Sequence, residues 1–319
     1  MLSVKQAPII AGKTVLVRCD FDVPLKNGEI ENTFRIDMCI PTLKFLLEEG
    51  ANLVLATKLG NPKGVFVEEL STQVIKPYLS KKLGEGNYTL LENLRFDPRE
   101  KENSIEFAKE LATGVDFYVN ECFATSHRND TSIVGFKNIL PSYAGLRLVE
   151  EVEVLSSILK NPKRPLVSII GGAKLESKKP AVDKFLKISD AVLVGGKIGL
   201  DWNENVPENL FLPVDYAQDN LDIGPNTIKM FQDIIKDAKT IVWAGPLGYY
   251  EDTEYLTGTS KIAEAAVNSL AHVTVGGGDT TTAIEKAGFL NDIDFVSTGG
   301  GAMLEFLIKG TLPGIEALN

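Results

Sequence analysis

The stretch LVSIIGGAKLESKK, residues 166–179, sets the architecture of the chain. Leu166–Ile170 runs without a charge, stops at two glycines, and gives way to a lysine-rich segment. An uninterrupted apolar run of this length reads as a strand buried on both faces, as in a parallel sheet covered by helices. The same grammar repeats outward in both directions. Upstream, strands are expected at Thr14–Arg18, Leu53–Thr57, Tyr88–Leu91 and Phe117–Asn120. Downstream, they are expected at Ala191–Val194, Thr240–Trp243, His272–Val275 and Phe295–Thr298. Helical spacing marks Ile40–Glu49, Thr72–Lys82, Ile105–Leu111, Ala181–Ile188, Thr227–Ile235, Lys261–Leu270 and Thr280–Ala287. This alternation predicts an α/β fold built from doubly wound, Rossmann-like parallel sheets with right-handed crossovers. A further helix over Arg147–Leu159 ends in Lys160-Asn161-Pro162-Lys163-Arg164-Pro165, where two prolines stop it. The 319 residues suffice for two domains, and the boundary is expected at that proline pair.

Composition narrows the function. Hydrophobic residues make up 44% and charged ones 24%, ordinary globular usage. The net charge of −10, with most of the excess in the second half, excludes a chain built to hold a nucleic-acid backbone. Three distant cysteines, Cys19, Cys39 and Cys122, make neither a disulfide framework nor a metal-ligand pair. With only His127 and His272 besides, a zinc enzyme is not expected. No apolar run approaches the ~20 residues of a membrane span, and Met1–Lys13 lacks the apolar core of a signal peptide. The expectation is a soluble cytoplasmic protein without a membrane partner.

The informative glycines follow the strands of the second half. The corners are Gly171-Gly172-Ala173-Lys174, Gly195-Gly196-Lys197, Ala244-Gly245-Pro246-Leu247-Gly248, Gly276-Gly277-Gly278-Asp279-Thr280 and Gly299-Gly300-Gly301. In a doubly wound sheet these strand ends share one rim, where ligands bind. Glycine lets backbone N–H groups approach a phosphate, and a helix start behind it adds a favourable dipole. Neither G-x-x-x-x-G-K-[ST] nor G-x-G-x-x-G is present, so this is a phosphate rim of another kind. Lys174 and Lys178, four apart, share a face if a helix begins at their corner. They read either as phosphate ligands or as solvated lysines. Asp279 suits a helix N-cap and equally a Mg²⁺ ion bridging nucleotide phosphates. In the first half Arg18, Arg35, Arg95 and Arg128 read either as surface ion pairs or as a cluster for a small phosphorylated carboxylate.

Longer motifs carry a resemblance. VLVRCDFDVPL (15–25), LLENLRF (90–96), YVNECFATSHR (118–128) and GGAK (171–174) stand in the order found in phosphoglycerate kinases. So do LPVD (212–215), DIGP (222–225), VWAGPLG (242–248), GGGDT (276–280), STGGGA (297–302) and LPG (312–314). The chain resembles that family over nearly its whole length. The resemblance implies an acceptor domain over residues 1–145, to which the tail 312–319 returns, and an interdomain helix and linker over 146–164. It places a nucleotide-binding domain over 165–311, with hinge bending between the domains and a monomeric chain. It implies reversible phosphoryl transfer between 1,3-bisphosphoglycerate with ADP and 3-phosphoglycerate with ATP, in glycolysis, with Mg²⁺ as cofactor.

Carried over by position, Asp20, Phe21, Asp22 and Arg35 belong to the acceptor site. So do Lys58, Leu59, Gly60 and Asn61, together with Arg95 and Arg128. Gly172, Ala173, Lys178, Gly196 and Pro246 match nucleotide contacts, Glu251 the ribose-binding glutamate, and Gly277, Gly278, Asp279 and Thr280 the last phosphate corner. Arg35, Lys174 and Lys178 match the catalytic set, and Asp279 the metal-linked aspartate. The acceptor carboxylate, with a pKa near ~4, is already ionised at neutral pH, so no general base is needed.

Departures from the family pattern cluster in two places. The chain is several tens of residues shorter than usual, with the loss expected between Gly196 and Asp222, near the adenine surround. Asp20-Phe21-Asp22 replaces Asp-Phe-Asn, and Thr57-Lys58-Leu59-Gly60-Asn61-Pro62 replaces Ser-His-Leu-Gly-Arg-Pro. Ala244 stands where an asparagine is usual, and Ser177 where an aspartate is frequent. Lys58 is expected to neutralise Asp22, making the two a coupled pair. Two other readings follow: a same-fold kinase with a different carboxylate or phosphate acceptor, and a catalytically weak nucleotide-binding paralogue.

Overall fold

Strands β1 (Thr14–Arg18), β4 (Asn52–Ala56), β5 (Tyr88–Leu90), β6 (Phe117–Asn120) and β7 (Ser142–Ala144) form one sheet. A second contains β8 (Leu166–Ile170), β9 (Ala191–Val194), β10 (Leu210–Phe211), β11 (Thr240–Ala244), β12 (His272–Gly276) and β13 (Phe295–Ser297). A two-stranded hairpin, β2 (Leu25–Lys26) with β3 (Glu29–Ile30), stands apart. These coordinates are a computed structural model describing all 319 residues, the side chain of Gln218 excepted.

The orders are β5-β4-β1-β6-β7 and β10-β9-β8-β11-β12-β13, with every neighbour in the two sheets parallel. In both, the chain starts at a central strand, winds to one edge, then returns to the other side. The order therefore reverses between β1 and β6 and between β8 and β11, and each reversal opens a crevice at the strands' C-terminal ends. The central strands are buried throughout, as β8, β9 and β11 show, while the edge strand β10 is only two residues long. A short edge offers little to a stray strand.

The helices are α1 (Phe34–Glu48), α2 (Lys76–Leu83), α3 (Ile105–Leu111), α4 (Thr131–Val134), α5 (Leu146–Lys160) and α6 (Leu175–Ile188). They continue as α7 (Gly196–Leu200), α8 (Pro225–Ile235), α9 (Thr257–Val267), α10 (Gly278–Lys286), α11 (Gly300–Lys309) and α12 (Pro313–Glu316). The chain divides into two compact units, Met1–Glu153 with Thr311–Asn319, and Val154–Gly310. In the first, Val15 and Val17 of β1 meet Ile36, Leu43 and Leu46 of α1 in one apolar core. In the second, Ile169, Trp243 and Val275 meet Phe231, Ile262 and Ile284. The tail belongs to the first unit: Gly314 N–H donates to the Ser126 carbonyl at 2.8 Å, and a side chain at 314 would press on Ser126 and Ile133.

Two helices start six residues earlier than their apolar spacing predicts, while α9 starts four earlier, at Thr257, and α2 four later, at Lys76. α1 begins at Phe34, not Ile40, and runs through Pro41. α6 begins at Leu175, not Ala181, and runs through Pro180. Both prolines are exposed, so the carbonyl each leaves without an N–H donor faces the solvent side of the helix. The earlier starts matter because they place Arg35 in the first turn of α1 and Lys174 at the N-cap of α6.

A buried carboxylate fixes the start of α5. Glu121 accepts from Arg147 N–H at 3.1 Å and Leu148 N–H at 3.4 Å, and the Thr42 hydroxyl of α1 donates to it at 2.5 Å. Those N–H groups have no partner inside the helix, and negative charge there also suits its dipole. Burial nevertheless pushes the Glu121 pKa up to about 8, because full desolvation outweighs these bonds. Gly145 must stay a glycine, since a Cβ there would run into the same carboxylate.

Candidate functional site

The loops after β1 and β6 lie at the first unit's reversal point, and several residues named from the sequence gather there. Asp20 is buried, and burial raises its pKa against the opposing pull of Arg35 and Arg18. Arg35 reaches Asp20 at 3.8 Å and donates to the Asp22 backbone carbonyl at 3.0 Å. The Asp22 carboxylate accepts from Arg95 at 2.6 Å and from the Gly60 N–H at 2.9 Å, and Arg95 also donates to the Gly60 carbonyl. Asn61 and Arg128 are exposed, and the Arg128 guanidinium makes no bond among the described residues.

The Lys58–Asp22 pair expected from the sequence does not form. Lys58 is 2% exposed and points inward, where its ammonium binds Asp130 and lies 2.6 Å from Glu100. Burial, helped by Arg18, lowers its pKa, and Glu100 and Asp130 work against that. Glu100 in turn accepts from the Ser132 N–H at 3.0 Å and hydroxyl at 2.6 Å, and Arg18 donates to that hydroxyl at 2.9 Å. Lys58 is thus a member of a buried ionic network, with no charge to spare for Asp22. Phe21 and Leu59 are core side chains whose N–H groups are taken by Thr57 and Asn93. Glu100 and Asp130 carried no sequence signal; their acid character becomes meaningful only once Lys58 is seen to be buried.

The second unit's rim gathers the glycine corners. Gly172, Gly196, Gly245 and Gly277 all have positive φ, between 63° and 116°. Backbones cross here with no room for a Cβ: one at Gly171 would overlap the Pro246 carbonyl, and one at Gly300 would overlap Gly277. Thr280 is spent internally, accepting from the Gly245 N–H at 2.7 Å and donating to the Gly276 carbonyl at 3.1 Å. It ties the β11 and β12 corners together. Pro246 is likewise buried.

Three charged groups surround these corners. Lys174 is an exposed N-cap residue in extended conformation, so it does not share a helical face with Lys178. Lys178 lies over Gly172, and desolvation lowers its pKa while Asp279 pulls it up. Asp279, in the first turn of α10, accepts a 3.0 Å hydrogen bond from the Tyr250 hydroxyl. Lys286 donates to the Tyr250 carbonyl at 3.1 Å and lies over its ring. Tyr250 escaped the sequence reading, although it precedes the exposed Glu251. Ser177 turns back on the Lys174 carbonyl at 2.9 Å.

A Mg²⁺ ion suits this donor set only in company. No cluster of three acidic, histidine or cysteine side chains exists among the described residues, so Asp279 offers a single carboxylate. Mg²⁺ with nucleotide phosphates and water as its other ligands needs no more. Beside the rim, the short loop after α7 is pinned to α6. Lys179 binds Asp183 at 2.5 Å and Glu204 at 3.0 Å and stacks on Trp202, while Asn209 donates to the Leu186 and Ser189 carbonyls.

Comparison with known proteins identifies the family. The model of the family described as phosphoglycerate kinase matches residues 5–204 and 203–310. The phosphoglycerate kinase of Leptospira biflexa is 37% identical over 382 aligned positions, covering 97% of this chain and 96% of the relative. That of Borreliella burgdorferi is 35% identical, covering 99% of both chains. The solved phosphoglycerate kinase of Coxiella burnetii superposes with a TM-score of 0.88 at 33% identity, over 99% of this chain and 98% of its own. The Pyrococcus horikoshii enzyme gives 0.86 at 28%, over 100% and 98%. An alignment of 382 positions for 319 residues leaves several tens of the relative's residues without a counterpart. The family match breaks at residues 203–204, in the pinned loop between α7 and β10. The chain belongs to the phosphoglycerate kinase family.

Proposed function

We propose that this chain transfers a phosphoryl group reversibly between the MgATP/MgADP pair and 3-phosphoglycerate. The second unit holds the nucleotide and the first holds the acceptor. The observation that carries the reading is the glycine rim: four positive-φ glycines, Lys178 and Asp279 lie at the C-terminal ends of β8, β9, β11 and β12. Backbone N–H groups there suit phosphate oxygens, and the α6 and α10 N-termini favour negative charge.

The residues divide the work. Arg35, Arg95 and Arg128 bind the two anionic groups of the acceptor. An acceptor carboxylate oxygen attacks the terminal phosphorus of ATP in line, the bond to the ADP oxygen breaks, and the product is an acyl phosphate. No proton moves, so the protein supplies positioning and charge. On the second unit Lys174 offers charge to the transferring group's oxygens and Lys178 holds the phosphates of the nucleotide, while Arg35 offers charge on the acceptor's unit. Mg²⁺, when bound, neutralises nucleotide phosphate charge, with Asp279 as its link to the protein.

Titration calorimetry tests the nucleotide half directly. MgADP should bind at one site per chain, and Lys178→Ala should weaken it by about tenfold, the worth of one charge-assisted contact. No heat of binding with Mg²⁺ present would contradict the reading.

A further inference from the structure

We propose that Asp22 is a built-in anion: it fills the first unit's own oxyanion cradle, and an incoming ligand binds there only by displacing it. The proposal rests on the acceptor reading of this corner and adds what sets its selectivity. Asp22 takes one guanidinium nitrogen of Arg95 at 2.6 Å and the Gly60 N–H at 2.9 Å. A guanidinium edge beside a backbone N–H is a donor set made for a carboxylate or phosphate oxygen pair.

The exposures show which group covers which. The Asp22 side chain is 26% exposed and Arg95 only 11%, so the carboxylate lies toward solvent and the cation beneath it. Arg95 is the cation paired with this carboxylate, and Arg35 adds a weaker attraction from beside it. Lys58 is committed to Glu100 and Asp130, and Arg35 donates to the backbone carbonyl of Asp22. A tethered carboxylate acts at high effective concentration, so a small anion with a single anchor competes poorly with it. An anion held by a second contact outside this pair competes better.

Sulfate serves as the probe, titrated by calorimetry into the full chain and into Asp22→Asn, which keeps shape and removes charge. Sulfate affinity should rise about tenfold in the variant, as expected for freeing a partly exposed charge-assisted pair. Adding Arg95→Met should abolish that gain. The KM for 3-phosphoglycerate should fall in the same Asp22→Asn variant. Unchanged or weaker sulfate binding by folded Asp22→Asn overturns the proposal. If that variant fails to fold, Asp22→Ser must show the same gain or the proposal fails. A sulfate gain without a change in the 3-phosphoglycerate KM would support the internal anion and overturn the acceptor reading.

Discussion

Lys58→Met destabilises the first unit by about 3–5 kcal/mol, the usual result of removing one partner from a buried ionic cluster. The side chain keeps its approximate length, so the loss is electrostatic and not a cavity. Glu100, with no exposed surface, and Asp130 are left to share a site that has lost its ammonium. The two bonds from Ser132 to Glu100 persist but carry no full charge. Urea unfolding followed by circular dichroism measures the loss. Adding Glu100→Gln and Asp130→Asn should restore part of it, because both acidic charges then go with the ammonium while the buried Arg18 keeps its own. A single-variant loss below about 1 kcal/mol would mean that Lys58 is exposed in solution.

Lys174→Ala has the largest expected effect on activity, a fall in turnover of about 10³-fold, with MgADP affinity changed by less than about threefold. Lys174 is exposed at the start of α6 and makes no side-chain bond among the described residues, so its charge is available to a ligand. Charge placed where it is needed only in the transition state raises kcat and leaves ground-state binding nearly alone. Pre-steady-state turnover together with calorimetry separates the two quantities. Equal losses in both would assign Lys174 to nucleotide binding instead of chemistry.

The sheets were legible because their central strands are buried on both faces, and such strands announce themselves as uncharged runs. Leu166–Ile170 and Ala191–Val194 match their expected limits. The edges were less visible: β7 and β10 are three and two residues long, too short for any period to show. The β2–β3 hairpin is different, since its turn residues Asn27 and Gly28 both have positive φ and are a readable turn signal. Glycine corners fixed the rim because strand-end glycines have few other reasons to cluster. Side-chain pairing was the part the sequence hid. By position Lys58 and Asp22 are expected partners, yet Arg95 reaches Asp22 from 73 residues away and Asp130 reaches Lys58 from 72. Local spacing holds no record of such contacts.

A coupled assay with 3-phosphoglycerate and MgATP bears most directly on the central claim that this shortened chain with an altered acceptor corner is a working phosphoryl transferase. The expected result is turnover that saturates in both substrates, needs Mg²⁺, and falls by about 10³-fold in Lys174→Ala. Nucleotide binding without any transfer to 3-phosphoglycerate would contradict it.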